Sequence, residues 1–336
     1  MEEGEGGSGR ERGEEGRQVR ILFWGTPDFA VPSLRALAEE GHEVVGVVTQ
    51  PDRPAGRGQK MKVSAVKQVA IEEGGYPILT PDRPRGDEFM ASVRALTPDL
   101  SVVVAYGHIL KPEVLELPPR GSINVHASLL PELRGAAPSN WAIARGHEVT
   151  GVTVMRMVAG MDAGPILFQT EEPIGPSETA SELTARLSGI GAEALVETLA
   201  LLQLGGVEER EQDHDLATFA PKVDRAIARV DWDRTAAEVA NHVRGMDEVP
   251  GAWSLLAGEP VKLFRAEVRS GDAGGGDRGS AAVPGAVVRA DPGEGLWVAA
   301  RDGWVSIGEV QPTGKRRMAA TDWIRGRGVA EGDRLD

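Results

Sequence analysis

The chain has 336 residues, 41% of them hydrophobic and 26% charged, enough for a sizeable core and two domains. It contains no cysteine, which excludes disulfides and thiolate chemistry, and none of its apolar runs approaches the ~20 residues a membrane helix needs. A formal net charge of -14 argues against broad, non-specific nucleic-acid binding, so any RNA contact must rest on local basic patches.

Residues 1–18 are rich in Gly, Glu and Arg, nearly devoid of apolar side chains, and expected to form a disordered tail. The N-terminus lacks the apolar stretch of a signal peptide, so a cytoplasmic protein is expected. Arg20–Trp24 reads as a strand, Pro32–Glu40 as a helix ended by Gly41, and Glu43–Thr49 as a second strand. This order predicts an α/β fold with a Rossmann-like, doubly wound, mostly parallel sheet. The turn after the first strand lacks Gly-x-Gly-x-x-Gly, so the glycine geometry of a dinucleotide site is missing.

Pro51–Lys67 reads as a loop from its Pro and Gly content. It sets Arg53, Arg57, Lys60, Lys62 and Lys67 against Asp52 alone, a local net of +4. That pattern suits either a solvated connection or an arm that meets RNA phosphates. Val66–Glu73 and Glu88–Leu96 read as helices, and Tyr76–Leu79 and Asp99–Ala105 as strands. The last of these ends in Tyr106-Gly107, where open α/β sheets bind ligands.

Ser122–His126 is a short strand between turn residues. Alternation sends Ile123 and Val125 to one face and Asn124 and His126 to the other. The loop Ser128-Leu129-Leu130-Pro131 follows, then Arg134-Gly135-Ala136-Ala137-Pro138, a helix over Ser139–Arg145, and a strand over Val149–Met157. That strand ends in Ala159–Gly164, which carries Asp162 between Gly160 and Gly164. An amide, an imidazole and a carboxylate at strand ends are a workable set for acyl-type transfer. Taken singly, each has an ordinary structural reading: Asn124 a turn residue, His126 a satisfied histidine, Asp162 an Asx-turn former. The six histidines show no metal-ligand spacing, so no metal is expected.

Pro165–Ile174 reads as a strand and Ser177–Leu204 as a long amphipathic helix, with Thr179-x-x-Glu182 as part of a capping box. The first domain is expected over 19–206, a polar linker over 207–224 and a second domain over 225–336. In the second, a helix over Thr235–Met246 precedes five short strands, which suit an OB-like β-barrel, with a Gly-rich loop at 271–280. Lys315, Arg316, Arg317, Arg325 and Arg327 face only Asp322 between 310 and 327, again a local net of +4. This unit is either a stabilising appendage or a second RNA surface.

Asn124-x-His126, Ser128–Pro131, Arg134–Pro138 and the distant Asp162-x-Gly164 together resemble the folate-dependent formyltransferases, in the version that acts on methionyl-tRNA. Gly25–Phe29, Thr49–Gly58 and Gln311–Lys315 agree, so the resemblance runs from about Val19 to Leu335. One departure is Val249, which stands before Pro250-Gly251-Ala252 where the family has an aromatic residue. The resemblance implies transfer of a formyl group from 10-formyltetrahydrofolate, the co-substrate, to the α-amino group of methionyl-initiator tRNA. Asn124, His126 and Asp162 would be catalytic. Ser128, Leu129, Leu130, Pro131, Tyr106, Gly107 and Gly160 would hold the folate. Arg53, Arg57, Lys60, Lys62, Lys315, Arg316 and Arg317 would meet the tRNA. The chain is expected to act as a monomer, away from membranes. A formyltransferase for a small amine shares the three catalytic positions but requires neither the basic loop nor the 225–336 unit. A non-catalytic tRNA-binding protein on the same scaffold would not need the three catalytic residues intact.

Overall fold

The computed structural model describes residues 18–55, 60–269 and 282–336. All but the last residue of the expected tail lies outside these, as do Arg57 and the Gly-rich stretch 271–280. The chain forms two compact units that divide inside a strand, one up to Ile123 and one from Asn124.

The first unit is α/β. It runs β1 (Arg20–Gly25), α1 (Val31–Glu39), β2 (Glu43–Val48), β3 (Arg53–Ala55), β4 (Lys60–Lys62), α2 (Ala65–Val69), β5 (Ile78–Leu79), α3 (Asp87–Ala95), β6 (Leu100–Val104), α4 (Pro112–Leu115) and the start of β7 (Ser122–His126). Its sheet order is β5-β2-β1-β6, with β7 beside β6. β1 pairs in parallel with β2 on one side (Ile21 with Val44) and β6 on the other (Ile21 with Leu100). The runs Ile21–Trp24 and Leu100–Val104 are wholly buried, as parallel strands covered on both faces must be. α1 starts at Val31-Pro32, buries Leu34 and Leu37, and stops before Gly41 at φ +75°.

The stretch read as a loop, Pro51–Lys67, differs from expectation. β3 and β4 pair as an antiparallel hairpin, and α2 begins at Ala65, capped by the Ser64 hydroxyl, which accepts from the Lys67 N–H at 3.1 Å. A three-residue strand has too few alternating positions to register as a pattern.

The second unit continues with the end of β7, then α5 (Pro138–Ala144), β8 (Val149–Arg156), β9 (Ile166–Pro173) and α6 (Ala180–Gln203). β8 and β9 are antiparallel, and α6 starts on the complete Thr179/Glu182 capping box. After residues 207–224 come α7 (Ala236–Gly245), β10 (Trp253–Leu256), β11 (Glu259–Arg269), β12 (Val287–Asp291), β13 (Gly295–Ala299), β14 (Trp304–Pro312), β15 (Met318–Ala319) and α8 (Ala320–Arg325). The five expected strands form one antiparallel sheet in the order β10-β11-β14-β13-β12, and β15 adds to β14. Its core gathers Val239 and Val243 of α7, Leu263, Val298, Val305 and Trp323.

Both edges of this sheet bond to the C-terminal segment. Leu255 of β10 exchanges hydrogen bonds with Asp336 (3.0 and 2.8 Å), and the Val287 N–H of β12 donates to the Asp333 carbonyl at 2.8 Å. A short strap thus covers edges that would otherwise be open to pairing. No helix among the described residues is long and apolar enough to cross a membrane.

Candidate active site

All five residues of β7 are buried, so the strand is covered on both faces. Its apolar face meets α6: a Cβ on Gly191 would lie 3.0 Å from a Val125 methyl. Asn124 and His126 therefore leave from the opposite face, as alternation requires.

The next residues hold the imidazole. His126 Nε2 lies 3.0 Å from the Leu133 carbonyl oxygen. That oxygen only accepts, so Nε2 carries the proton and Nδ1 is the open nitrogen. Nδ1 lies 3.8 Å from Asp162 Oδ2, inside ion-pair range and beyond hydrogen-bond range. The same Asp162 oxygen accepts the Gly135 N–H at 2.8 Å. Glycine is required at 135: φ is +125°, and a Cβ would sit 2.7 Å from the Ala220 carbonyl oxygen. It is required equally at 164, where a Cβ would lie 2.0 Å from the Arg156 carbonyl oxygen. Asp162 itself is left-handed at φ +48°. The structure thus brings His126 and Asp162 together, and sets Asn124 two residues upstream on the same strand face.

The residues read as folate contacts fall into two kinds. Ser128 is fully buried, its hydroxyl donating to the Glu132 carbonyl at 2.6 Å, and Leu130 packs with Met155 and Ile166. Their side chains serve the protein interior. Leu129 and Pro131 are half-buried and Gly160 is exposed. In the first unit, the Tyr106 ring sits edge-on to Trp24, and burial pushes its phenol up to about 12. The Tyr106 carbonyl accepts from Thr26 and Gln50, and Gly107 is exposed at φ +87°. No group of three or more metal-ligating side chains occurs among the described residues.

Of the basic residues, Arg53 and Lys62 are exposed and directly opposite in the β3–β4 hairpin. Lys67 instead pairs with Asp52 at 2.8 Å. Lys60 belongs to the hairpin, and Arg57 lies outside the described residues. Lys315 and Arg316 are exposed. Arg317 is not free for phosphate: it pairs with Asp247 (3.3 Å), Glu248 (3.5 Å) and Glu309, and stacks on Phe264 at 3.9 Å.

Sequence reasoning missed Gln212 of the polar linker, which reaches the Asp162 loop, and Arg134, which reaches Gln212. Arg134 opens the Arg134–Pro138 motif; Gln212 carries no local signal.

Two family models match this chain: "Formyl transferase" over residues 17–199 and "Formyl transferase, C-terminal domain" over residues 222–328. The chain belongs to the formyl transferase family. Within it, the chain is 44% identical to the methionyl-tRNA formyltransferase of Acidobacterium capsulatum over 318 residues, covering 94% of this chain and 99% of that one. It is 46% identical to the enzyme of that name from Symbiobacterium thermophilum, over 94% and 95%. Among solved structures, HypX from Aquifex aeolicus in complex with tetrahydrofolic acid shares the fold (TM-score 0.62, 21% identity, 91% of this chain and 47% of that one). So does an N-formyltransferase from Helicobacter canadensis (TM-score 0.62, 17% identity, 88% and 100%).

Proposed function

We propose that this enzyme transfers the formyl group of 10-formyltetrahydrofolate to the α-amino group of methionyl-initiator tRNA, giving N-formylmethionyl-tRNA for translation initiation. The observation that carries the reading is the pairing of His126 Nδ1 with Asp162 on a strand that also presents Asn124. Near-complete coverage of relatives named methionyl-tRNA formyltransferase supports the acceptor.

The donor supplies an activated formyl carbon, and the chain's residues supply the rest. As the amine nitrogen bonds to that carbon, negative charge grows on the formyl oxygen, where the Asn124 carboxamide donates; one such donor is worth ~10²–10³ in rate. The proton lost by the amine goes to His126 Nδ1, because Nε2 is already committed to Leu133. The resulting imidazolium meets the Asp162 carboxylate, and its proton leaves with the donor nitrogen as the old carbon–nitrogen bond breaks. Such a relay is worth ~10²–10⁴. Backbone of Ser128–Pro131 and Gly160 would face the donor, the buried Ser128 and Leu130 side chains fixing its path. Residues 19–206 would form the catalytic domain, and 225–336, joined by 207–224, a domain that meets the tRNA.

A small amine as acceptor would leave the basic hairpin, with Arg53 set across from Lys62, without a role. The test supplies charged initiator tRNA and formyl donor to the full chain. N-formylmethionyl-tRNA is expected; formylation of an amino sugar but not of the tRNA would overturn the reading.

A further inference from the structure

The Asp162 loop is held from behind. The Gln212 amide nitrogen donates to two main-chain carbonyls, those of Asp162 (2.9 Å) and Gly164 (2.7 Å). The Gln212 amide oxygen accepts from the Arg134 guanidinium, at 2.6 Å from Nη2 and 3.2 Å from Nε. Arg134 also donates to His214 Nδ1 at 2.9 Å. Both Arg134 and Gln212 are buried, 6% and 5% exposed.

This chain of contacts has only one sense. A guanidinium only donates and carbonyls only accept, so the Gln212 amide cannot flip without breaking both sets of bonds. Arg134 is itself anchored through its backbone, which bonds to Thr218 and Ala220. The bracket acts on a left-handed, non-glycine residue. A non-glycine residue at φ +48° persists only when its surroundings over-determine it. With its carbonyl fixed by Gln212 and its carboxylate fixed by the Gly135 N–H, Asp162 is held at both ends.

We propose that Gln212 is a positioning residue for formyl transfer, oriented by Arg134, that fixes the Asp162 loop so that the carboxylate meets the protonated His126. The proposal rests on the catalytic reading of His126 and Asp162 above. Gln212 touches neither substrate nor reacting atoms in this account, and acts only through the Asp162 backbone.

Two variants separate positioning from bulk stability. Gln212→Met keeps the volume and loses all the bonds. Gln212→Glu keeps the acceptor toward Arg134 but turns an oxygen toward two carbonyls. Both should lower kcat by about 10- to 100-fold, the scale of a small misplacement of a reacting group, and leave KM for the tRNA unchanged. On the Asp162→Ala background, Gln212→Met should cost nothing further, because the two act as a unit. A folded Gln212→Met at wild-type kcat, or costs that multiply in the double variant, would overturn the proposal. Should Gln212→Met not fold, Gln212→Asn keeps the amide with a shorter reach and reads the same split. Wild-type turnover by Asp162→Ala would instead sink the catalytic reading itself, so the two failures are distinguishable.

Discussion

The two basic stretches look alike as sequence, each with five cations against one carboxylate. In the folded chain they differ. The hairpin sets Arg53 directly across from Lys62, both exposed. Like charges so placed repel each other, and a bound phosphate relieves that repulsion. In the second stretch Arg317 lies among three carboxylates on an aromatic face, and Arg325 pairs with Asp322 at 2.8 Å. Local charge counted along the chain therefore overstates what the second stretch offers an RNA. What matters is which cations lack a carboxylate brought to them by the fold.

The largest effect that sharpens this contrast is on stability. Arg317→Met should leave Asp247, 3% exposed, as an unpaired buried acid. We expect a cost of roughly 2–3 kcal/mol, less than for a fully buried pair because Arg317 keeps 27% exposure. The cost should depend on pH. Burial pushes the Asp247 carboxyl above its ordinary value of 3.8, and Arg317 opposes that push. The folded state thus holds this proton more tightly than the unfolded state, so the contribution to stability falls as pH rises through the raised value. The variant's penalty should be full at pH 7 and shrink near pH 3, below the ordinary value of 3.8, where Asp247 is largely protonated in both states. Denaturant midpoints at the two pH values check this; an equal penalty at both would assign Arg317 a purely packing role.

Next in size is the salt dependence of tRNA binding. Arg53→Ala with Lys62→Ala should reduce the logarithmic slope by roughly 1.4–1.8, the worth of two phosphate contacts, without changing donor binding. Smallest is Lys315→Ala with Arg316→Ala, expected at about half that change, because Glu309 and Glu248 lie around the neighbouring Arg317. Equal slope changes from the two pairs would erase the distinction drawn here.

Much of the proposed catalytic face was legible because its signals are local. Ser122–His126 is a strand with the bounds its apolar run and turn residues imply, Pro138 opens α5, and Thr179 with Glu182 caps α6. The division of β7 into an apolar and a polar face was legible too, although burial of all five residues shows nothing of period two. What sequence did not carry is contact across distance. Gln212 finds Asp162 from 50 residues away, and Arg317 finds Asp247 from 70. Neither partner has a spacing that pattern reading can see. The short helix α8 was hidden for another reason: its six residues are too few for a helical period to declare itself.

The central claim is that His126 and Asp162 act as a proton-handling pair in formyl transfer to methionyl-tRNA. It is tested most directly by single-turnover formylation with Asp162→Ala at saturating donor and charged initiator tRNA. The account predicts a rate lower by ~10²–10⁴ with tRNA affinity unchanged. A rate near that of the unaltered chain would contradict it.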